Sequence, residues 1–401
     1  MGAERLWLSG RRTLMSDWLL ALNVGSSSVK FAAHPVDSGA ELLRGAVSEI
    51  GVQPQLRVWQ TGGADSTTPC GAFVTDLHSA IEHVIDVVFS LLDPAELVGV
   101  GHRIVHGGDQ FVTPMLLASD VVLALHRLEA LAPLHQPASL AAIGIVSRRA
   151  SYAPQFGCFD TAFHSTQPRL NRILAVSGVM AERGVRRYGF HGLSYEHAAE
   201  VLRHRYEGGG RAVVAHLGAG ASLCALKDGI SMATTMGMTP LGGIPMATRS
   251  GDLDPGAVLY MLDALGMSAS QVREMLYRQS GLMGLSGESG DLQTLLASSR
   301  VQAAEAVAFF VESVQREIAS LSGALGGLDT LVFTAGIGER APIVRARIGA
   351  ACAWMGVRID PELNECNADE IHDPKSAIRV LIVRANEEAM IINHMRPLLL
   401  V

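Results

Sequence analysis

At 401 residues the chain is longer than one ordinary domain, and about two or three are expected. It is 48% hydrophobic with mixed charges and a formal charge of −7, so a globular chain is expected, with no basic field to draw nucleic acid or acidic lipid. The five cysteines, Cys70, Cys158, Cys224, Cys352 and Cys366, are scattered without a CxxC pair; they read as reduced thiols of a cytoplasmic protein, and no apolar run is long enough for a membrane span.

Residues 1–16 carry Arg5, Arg11 and Arg12 but no continuous apolar core, so they read as an extension outside the fold, with Met15 as an alternative start. An apolar strand follows at 19–22. Then come the polar turn Gly25-Ser26-Ser27-Ser28 and a second strand opening at Val29. Backbone N–H groups and hydroxyls in such a turn can hold phosphate oxygens, and Lys30 adds a positive charge nearby. Helical spacing of Ile81, Val84, Ile85, Val88 and Leu91 predicts an amphipathic helix over 77–92. A short strand leads into Gly101-His-Arg-Ile-Val-His-Gly-Gly108. Residues 131–137 read as a Pro-bracketed loop before a helix that starts at about Ala138. Residues 155–161 read as a buried strand that ends in Asp160, and 185–193 as a Gly-punctuated loop rich in Arg and His.

At 212–226 the opening pattern returns as strand, small-residue turn and strand, with Gly218 standing to it as Gly25 does to the first. Two such units suggest duplicated lobes facing one cleft. The irregular loop 236–256 carries Arg249, Asp252 and Asp254, and a loop of that length is more often functional than not. A long helix at 301–324 precedes a buried strand at 329–334, which runs into Ala335-Gly336-Ile337-Gly338-Glu339. A last strand at 378–383 leads to Asn386-Glu387-Glu388 and a terminal helix. Alternating strands and helices make the class α/β.

Gly336 to Ala341 has the G-x-G-x-x-A form but lacks the βα context of a dinucleotide site, so it reads as a mononucleotide phosphate or ribose contact. No P-loop motif is present. His106-Gly107-Gly108 lacks an accompanying nucleophile elbow, because Gly284-Leu285-Ser286-Gly287-Glu288 fails at its last position. His102 and His106 lie four apart, but the surrounding glycines argue against a helix, so hydrogen-bonding roles are expected rather than a shared metal. Arg103 and Arg249 adjoin Gly-rich loops, and each is either salt-bridged or awaiting an anion. Asp160 and Glu387 close apolar strands, which suits a magnesium site of few carboxylates plus water, or a cap or ion pair.

Taken together, the motifs resemble those of the acetokinase family. They are Asn23-Val-Gly-Ser-Ser-Ser-Val-Lys30, the 101–108 stretch, Leu131-Ala-Pro-Leu-His135, Phe159-Asp-Thr-Ala-Phe-His164, Arg187-Tyr-Gly-Phe-His-Gly192, Thr248-Arg-Ser-Gly-Asp252, Phe333-Thr-Ala-Gly-Ile-Gly-Glu339 and Asn386-Glu-Glu388, in family order from about Trp18 to Ile392. The resemblance implies two facing lobes of a duplicated ribonuclease-H-like (actin-like) fold, with residues 17–162 plus 386–401 in one and 163–385 in the other. It implies reversible phosphoryl transfer between ATP and acetate, giving acetyl phosphate and ADP, with Mg2+ (or Mn2+ in its place). It also implies a homodimer formed through the C-terminal lobe, with no nucleic-acid or membrane partner. Asn23 and Glu387 match metal-associated positions, and Lys30 the basic position after the serine turn. Arg103 and Arg249 match the arginines that flank the transferred group, Asp160 the central acid and His191 the histidine beside the phosphoryl group. His216, Leu217, Gly218, Ala219 and Gly220 match one nucleotide turn, and Gly336, Ile337, Gly338, Glu339 and Arg340 another. Asp291, Leu292 and Gln293 match a stretch beside the base. Val105, Leu134, Phe190 and Pro240 match the apolar pocket for the acetate methyl.

The chemistry agrees with these residue types. Acetate is ionised at neutral pH, because carboxylic acids titrate at about pH 4–5. No general base is needed, but an anion must meet an anion, and two arginines can screen that repulsion. Asp160 is therefore expected to position, through an arginine or a metal-bound water. The chain departs from the family at several positions. Ala219 replaces an Asn, Gly242 and Ala247 replace a Glu and a Gly, and Gln136 replaces an Asn. Tyr195 replaces a His, and Gln293 replaces the arginine that lies against adenine. A Pro-Tyr-rich segment before Arg186 is absent. A propionate or butyrate kinase of the same family, and a non-catalytic nucleotide-binding relative, are the alternative readings.

Overall fold

The computed structural model describes residues 17–25, 27–37, 40–61 and 65–399; the extension read over 1–16 and Ser26 of the first turn lie outside them. β1 (Trp18–Val24) is buried along its whole length and forms an antiparallel hairpin with β2 (Val29–Pro35). The antiparallel sheet continues through β3 (Leu43–Ser48), β4 (Gln55–Gln60) and β5 (Ser66–Pro69). β6 (Leu97–Ile104), β7 (Met115–Leu116) and β8 (Gln155–Phe159) complete it. β6 runs parallel to β1, β8 parallel to β6, and β7 closes the edge antiparallel. The second sheet contains β9 (Arg211–Leu217), β10 (Ala221–Lys227), β11 (Ile230–Thr234), β12 (Thr330–Thr334) and β13 (Arg379–Ile382).

The two sheets repeat one topology. The order β3-β2-β1-β6-β8 in the first is matched by β11-β10-β9-β12-β13 in the second, with the same antiparallel and parallel pairings. The sequence echo at 212–226 is thus the β9–β10 hairpin, the counterpart of β1–β2.

Parallel strands are covered by helices on both faces. In the first sheet, the helices Leu77–Leu91 and Gln136–Arg149 cover one face through Ile81, Val84, Val88 and Ile145. The C-terminal helix Glu387–Leu399 covers the other through Met390, Ile391 and Met395. Each such fully buried side chain contributes about 1.5–3 kcal/mol. Gly101 lets that helix approach, since a Cβ there would lie 2.3 Å from Ile391 and 2.4 Å from Met395. In the second sheet the helices Val301–Leu325 and Gly192–Arg205 play the corresponding parts. The helices Gly192–Arg205 and Glu387–Leu399 touch, and His394 Nε2 lies 2.9 Å from Glu196. No helix of the described residues is long and apolar enough to cross a membrane.

Three local readings change. The helix expected from 138 starts at Gln136, because Pro137 fits a first turn whose N–H groups have no intrahelical partner. β8 stops at Phe159, which leaves Asp160 just beyond it. The stretch from Gly336, read as a turn, is the short helix Ala335–Arg340; β12 enters it through one residue, Ala335, at φ 64°.

Candidate active site

A cleft of about 840 Å3 is lined by residues from both sheets. From the first come Asn23, Ser27, Ser28, Lys30, Arg103 and Val105. From the second come His216, Gly218, Ala219 and Gly220, joined by His191, Arg249, Gly336, Glu339, Arg340 and Glu387.

Arg103, at the C-terminal end of β6, is fixed from behind. Its Nε lies 3.1 and 2.9 Å from the two Asp160 carboxylate oxygens, and Nη2 lies 2.5 Å from one of them. Its Nη1 donates to Asn23 Oδ1 at 3.1 Å and lies 3.7 Å from Glu387. Burial by itself lowers the Arg103 pKa, but Asp160 and Glu387 more than reverse this, so the guanidinium is held charged. Asp160 is fully buried and does not line the cleft. Burial pushes its carboxyl up, and Arg103 opposes that. It braces Arg103, which is one of the two positioning routes expected for it.

Arg249 is the contrast. It is buried, makes no ion pair among the described residues, and donates through Nη1 to the Pro240 carbonyl at 2.6 Å. Burial lowers its pKa to about 10, and Arg103 adds to that effect. It is still charged at neutral pH, and an unpaired buried guanidinium in a cleft is an anion site. Gly220 makes room for it: a Cβ there would sit 2.6 Å from Arg249 Nη2 and 3.3 Å from His191 Nε2. His191 holds a left-handed backbone at φ 58° and stacks on His216 with ring centres 4.2 Å apart. Its Nδ1 pairs with Ser222 Oγ at 2.8 Å, and Tyr195 Oη lies on the same hydroxyl. Burial pushes the His191 pKa well below its usual value, as do His216 and both arginines, so the ring is neutral.

The nucleotide-side predictions divide. Gly218, Ala219, Gly220, Gly336, Glu339 and Arg340 line the cleft. An adjoining cavity of about 420 Å3 is lined by Gly290, Asp291, Leu292, Gln293, Ile337 and Arg340. Leu217 instead ends β9 and is buried in the core, and the Gly338 carbonyl accepts from buried Arg345. The Asp291 carboxylate caps a helix by accepting from Thr294 N at 3.0 Å. Of the apolar pocket residues, Val105 and Leu134 line the cleft, Phe190 is buried in the same core cluster as Val105, and the Pro240 carbonyl accepts from Arg249. Asp252 accepts from Gly243 N and Asp254 caps the helix Pro255–Asp263, so both serve the loop. His102 Nε2 lies 2.8 Å from Gln155 Oε1, while His106 Nδ1 accepts from Gly108 N at 2.9 Å and its Nε2 lies 3.4 Å from the Met238 carbonyl, so both rings stand in hydrogen bonds.

Some neighbours had no role assigned from the sequence, although Glu388, His135, Thr248 and Ala335 stand within its motifs. Glu388 accepts from Asn23 Nδ2 at 2.7 Å beside Glu387 at 2.8 Å. His135, Thr248, Tyr277, Arg278 and Ala335 also line the cleft. Ser222 stood only within the 212–226 echo and had no role assigned there.

The acids present suit a hydrated divalent ion and not a protein cage. No group of three or more His, Cys, Asp or Glu among the described residues converges as metal ligands. Burial pushes the Glu387 carboxyl up, yet Arg103, Lys30, His216 and the Asn23 amide bring it down to about 2, so it is ionised in the cleft. One ionised carboxylate with a neighbouring amide and a second acid suits an ion that keeps most of its waters and binds phosphate.

The acetokinase family model matches residues 18–393. An acetate kinase of Rhodopseudomonas palustris is 43% identical over 392 residues, covering 95% of this chain and 98% of that one. Among solved structures, a propionate kinase from Francisella tularensis aligns at TM-score 0.85 and 33% identity, covering 95% of this chain and 99% of that one. The Porphyromonas gingivalis acetate kinase aligns at 0.80 and 32%, covering 96% and 100%.

Proposed function

The chain belongs to the acetokinase family, and on that premise we propose that it transfers the γ-phosphoryl group of ATP reversibly and directly to acetate, giving acetyl phosphate and ADP. It is a kinase that uses a carboxylate as acceptor. The observation that carries the proposal is the pair of arginines in one cleft, a partly buried Arg103 braced by Asp160 and a buried Arg249 that makes no ion pair among the described residues.

Each of the chain's own groups has a part. Arg103 and Arg249 screen two approaching anions and stabilise the equatorial oxygens of the transferred group. His191, neutral, donates a hydrogen bond to it. Asp160 orients Arg103, and no group acts as base because the acid arrives ionised. Val105 and Leu134 meet the acid's methyl, with Phe190 and Pro240 setting the wall from behind. Gly218 to Gly220, Gly336 and Arg340 take the phosphates and ribose, and the cavity beside Gln293 takes the base. Ser27, Ser28 and Lys30 face the transferred phosphoryl group, which makes the first turn the catalytic side of the cleft. Glu387, with Asn23 and Glu388 beside it, would hold Mg2+ or Mn2+, an ion that neutralises phosphate charge when bound.

The lobe division at 17–162 plus 386–401 and 163–385 belongs to the same proposal. So do a homodimer, by family resemblance, and a cytoplasmic location, consistent with five free cysteines. The test is hydroxylamine trapping of acyl phosphate with ATP, Mg2+ and acetate, propionate or butyrate in parallel. Acetate is expected to give the highest kcat/KM. A higher value with propionate moves the acid by one carbon, and no product with any acid rejects the proposal.

A further inference from the structure

We propose that Tyr195 is a positioning residue for this reaction: acting through the Ser222 hydroxyl, it holds His191 in the tautomer that carries its proton on Nε2. The inference rests on the phosphoryl-transfer reading of the cleft and adds the device that aims its histidine donor.

The three groups form a buried line. Tyr195 lies four residues after His191, at the start of the helix Gly192–Arg205, and its backbone N–H donates to the His191 carbonyl at 3.1 Å. Its ring is fully buried against the second sheet. Ser222, also fully buried, lies on β10 opposite His216 of β9. The Ser222 Oγ is 2.5 Å from Tyr195 Oη and 2.8 Å from His191 Nδ1.

Counting protons fixes the direction. The Tyr195 hydroxyl has one proton and, among the described residues, one hydrogen-bond partner. A buried hydroxyl proton left without an acceptor costs about 1–3 kcal/mol, so Tyr195 donates to Ser222. The Ser222 hydroxyl then has its own proton free for its other partner, His191 Nδ1. That nitrogen is therefore an acceptor, and a neutral ring must carry its proton on Nε2. Nε2 is the nitrogen that faces Gly220 and Arg249 in the cleft wall. The opposite direction would strand the tyrosine proton and leave Nε2 a bare lone pair toward an anionic phosphoryl group.

The substitution Tyr195→Phe removes only the donor oxygen. Ser222 is then free to accept from His191 Nδ1, and the wrong tautomer becomes accessible. The experiment combines imidazole 15N NMR of histidine-labelled protein with steady-state kinetics. The His191 signals are assigned by difference against His191→Gln. Wild-type His191 is expected as the Nε2–H tautomer whether or not acyl phosphate is formed, so this readout is independent of the proposed activity. Tyr195→Phe is expected to introduce the Nδ1–H form and lower kcat about tenfold, with both KM values within about twofold. Ser222→Ala is expected to do the same, and the double variant to be no slower than Ser222→Ala alone, because the two residues act in series. Wild-type His191 protonated on Nδ1 overturns the proposal. So does a folded Tyr195→Phe enzyme with wild-type kcat, or a double variant whose losses multiply. Should Tyr195→Phe not fold, the wild-type spectrum and Ser222→Ala decide.

Discussion

Arg103 and Asp160 form a pair in which the guanidinium Nε reaches both carboxylate oxygens, at 3.1 and 2.9 Å, and the acid has no exposure to the cleft. An acid so placed can orient an arginine but cannot take a proton from a substrate. Asp160→Asn should lower kcat at least about tenfold, because one amide oxygen cannot receive both donors. It should also cost about 3–5 kcal/mol of stability, the cost of breaking a buried pair. Divalent-ion affinity should stay the same. The pH–rate profile should show no basic limb in wild type for the variant to abolish; loss of such a limb near about pH 5–7 would mean that Asp160 is a base after all.

The second arginine should behave differently. Arg249→Ala and Arg103→Ala should each lower kcat by at least about 10²-fold. Arg103→Ala leaves Asp160 buried without its partner and should lower Tm. Arg249→Ala removes a buried charge that has no ion pair among the described residues, so Tm should hold or rise. Thermal melts of the two variants check this. Equal destabilisation, with kcat within about tenfold of wild type, would make Arg249 a structural residue.

Acid should destabilise the protein through its histidines. Burial pushes His102, His106, His164 and His216 down to about 4 and His135 to about 3. A histidine with a lowered folded pKa stays neutral while the unfolded chain takes up a proton. The stability it contributes is complete above about pH 6.5 and is lost as pH falls from there toward 4, by up to about 3 kcal/mol each. Tm should therefore be level between about pH 8 and 7 and fall steeply between about 6.5 and 5. A level Tm down to about pH 5 would contradict the burial of these rings.

Gln293 is exposed at the rim of the cavity assigned to the base. A guanidinium stacks on a base where a glutamine amide does not. Gln293→Arg should lower the KM for ATP about threefold and leave kcat unchanged. Initial-rate kinetics with ATP and GTP check the effect; no change in either KM would remove Gln293 from the nucleotide site.

Much of this was readable in the chain. Hydrophobic runs located β1, β6, β8, β9 and β12, and the Gly218 echo located the second hairpin, because buried strands and small-residue turns leave a local mark. The motifs brought Asn23, Lys30, Arg103, His191, Arg249 and Glu387 to one cleft. The orientation of side chains was not readable. Asp160 and Phe190 look like cleft residues in a motif, and only packing turns them behind it. β3 to β5 passed unnoticed because their outer strands are half exposed and lack an apolar run. Ser222 became visible only when β10 set it opposite His216 and beneath Tyr195.

The central claim is that an ionised carboxylate meets the γ-phosphorus directly between Arg103 and Arg249, with no phosphoryl group passing through the protein. The stereochemical course tests it most directly. ATP made chiral at the γ-phosphorus with oxygen isotopes is turned over with acetate, and the configuration of the acetyl phosphate is read. One in-line transfer predicts inversion. Retention would mean two transfers through an enzyme-bound phosphoryl group and would contradict the account.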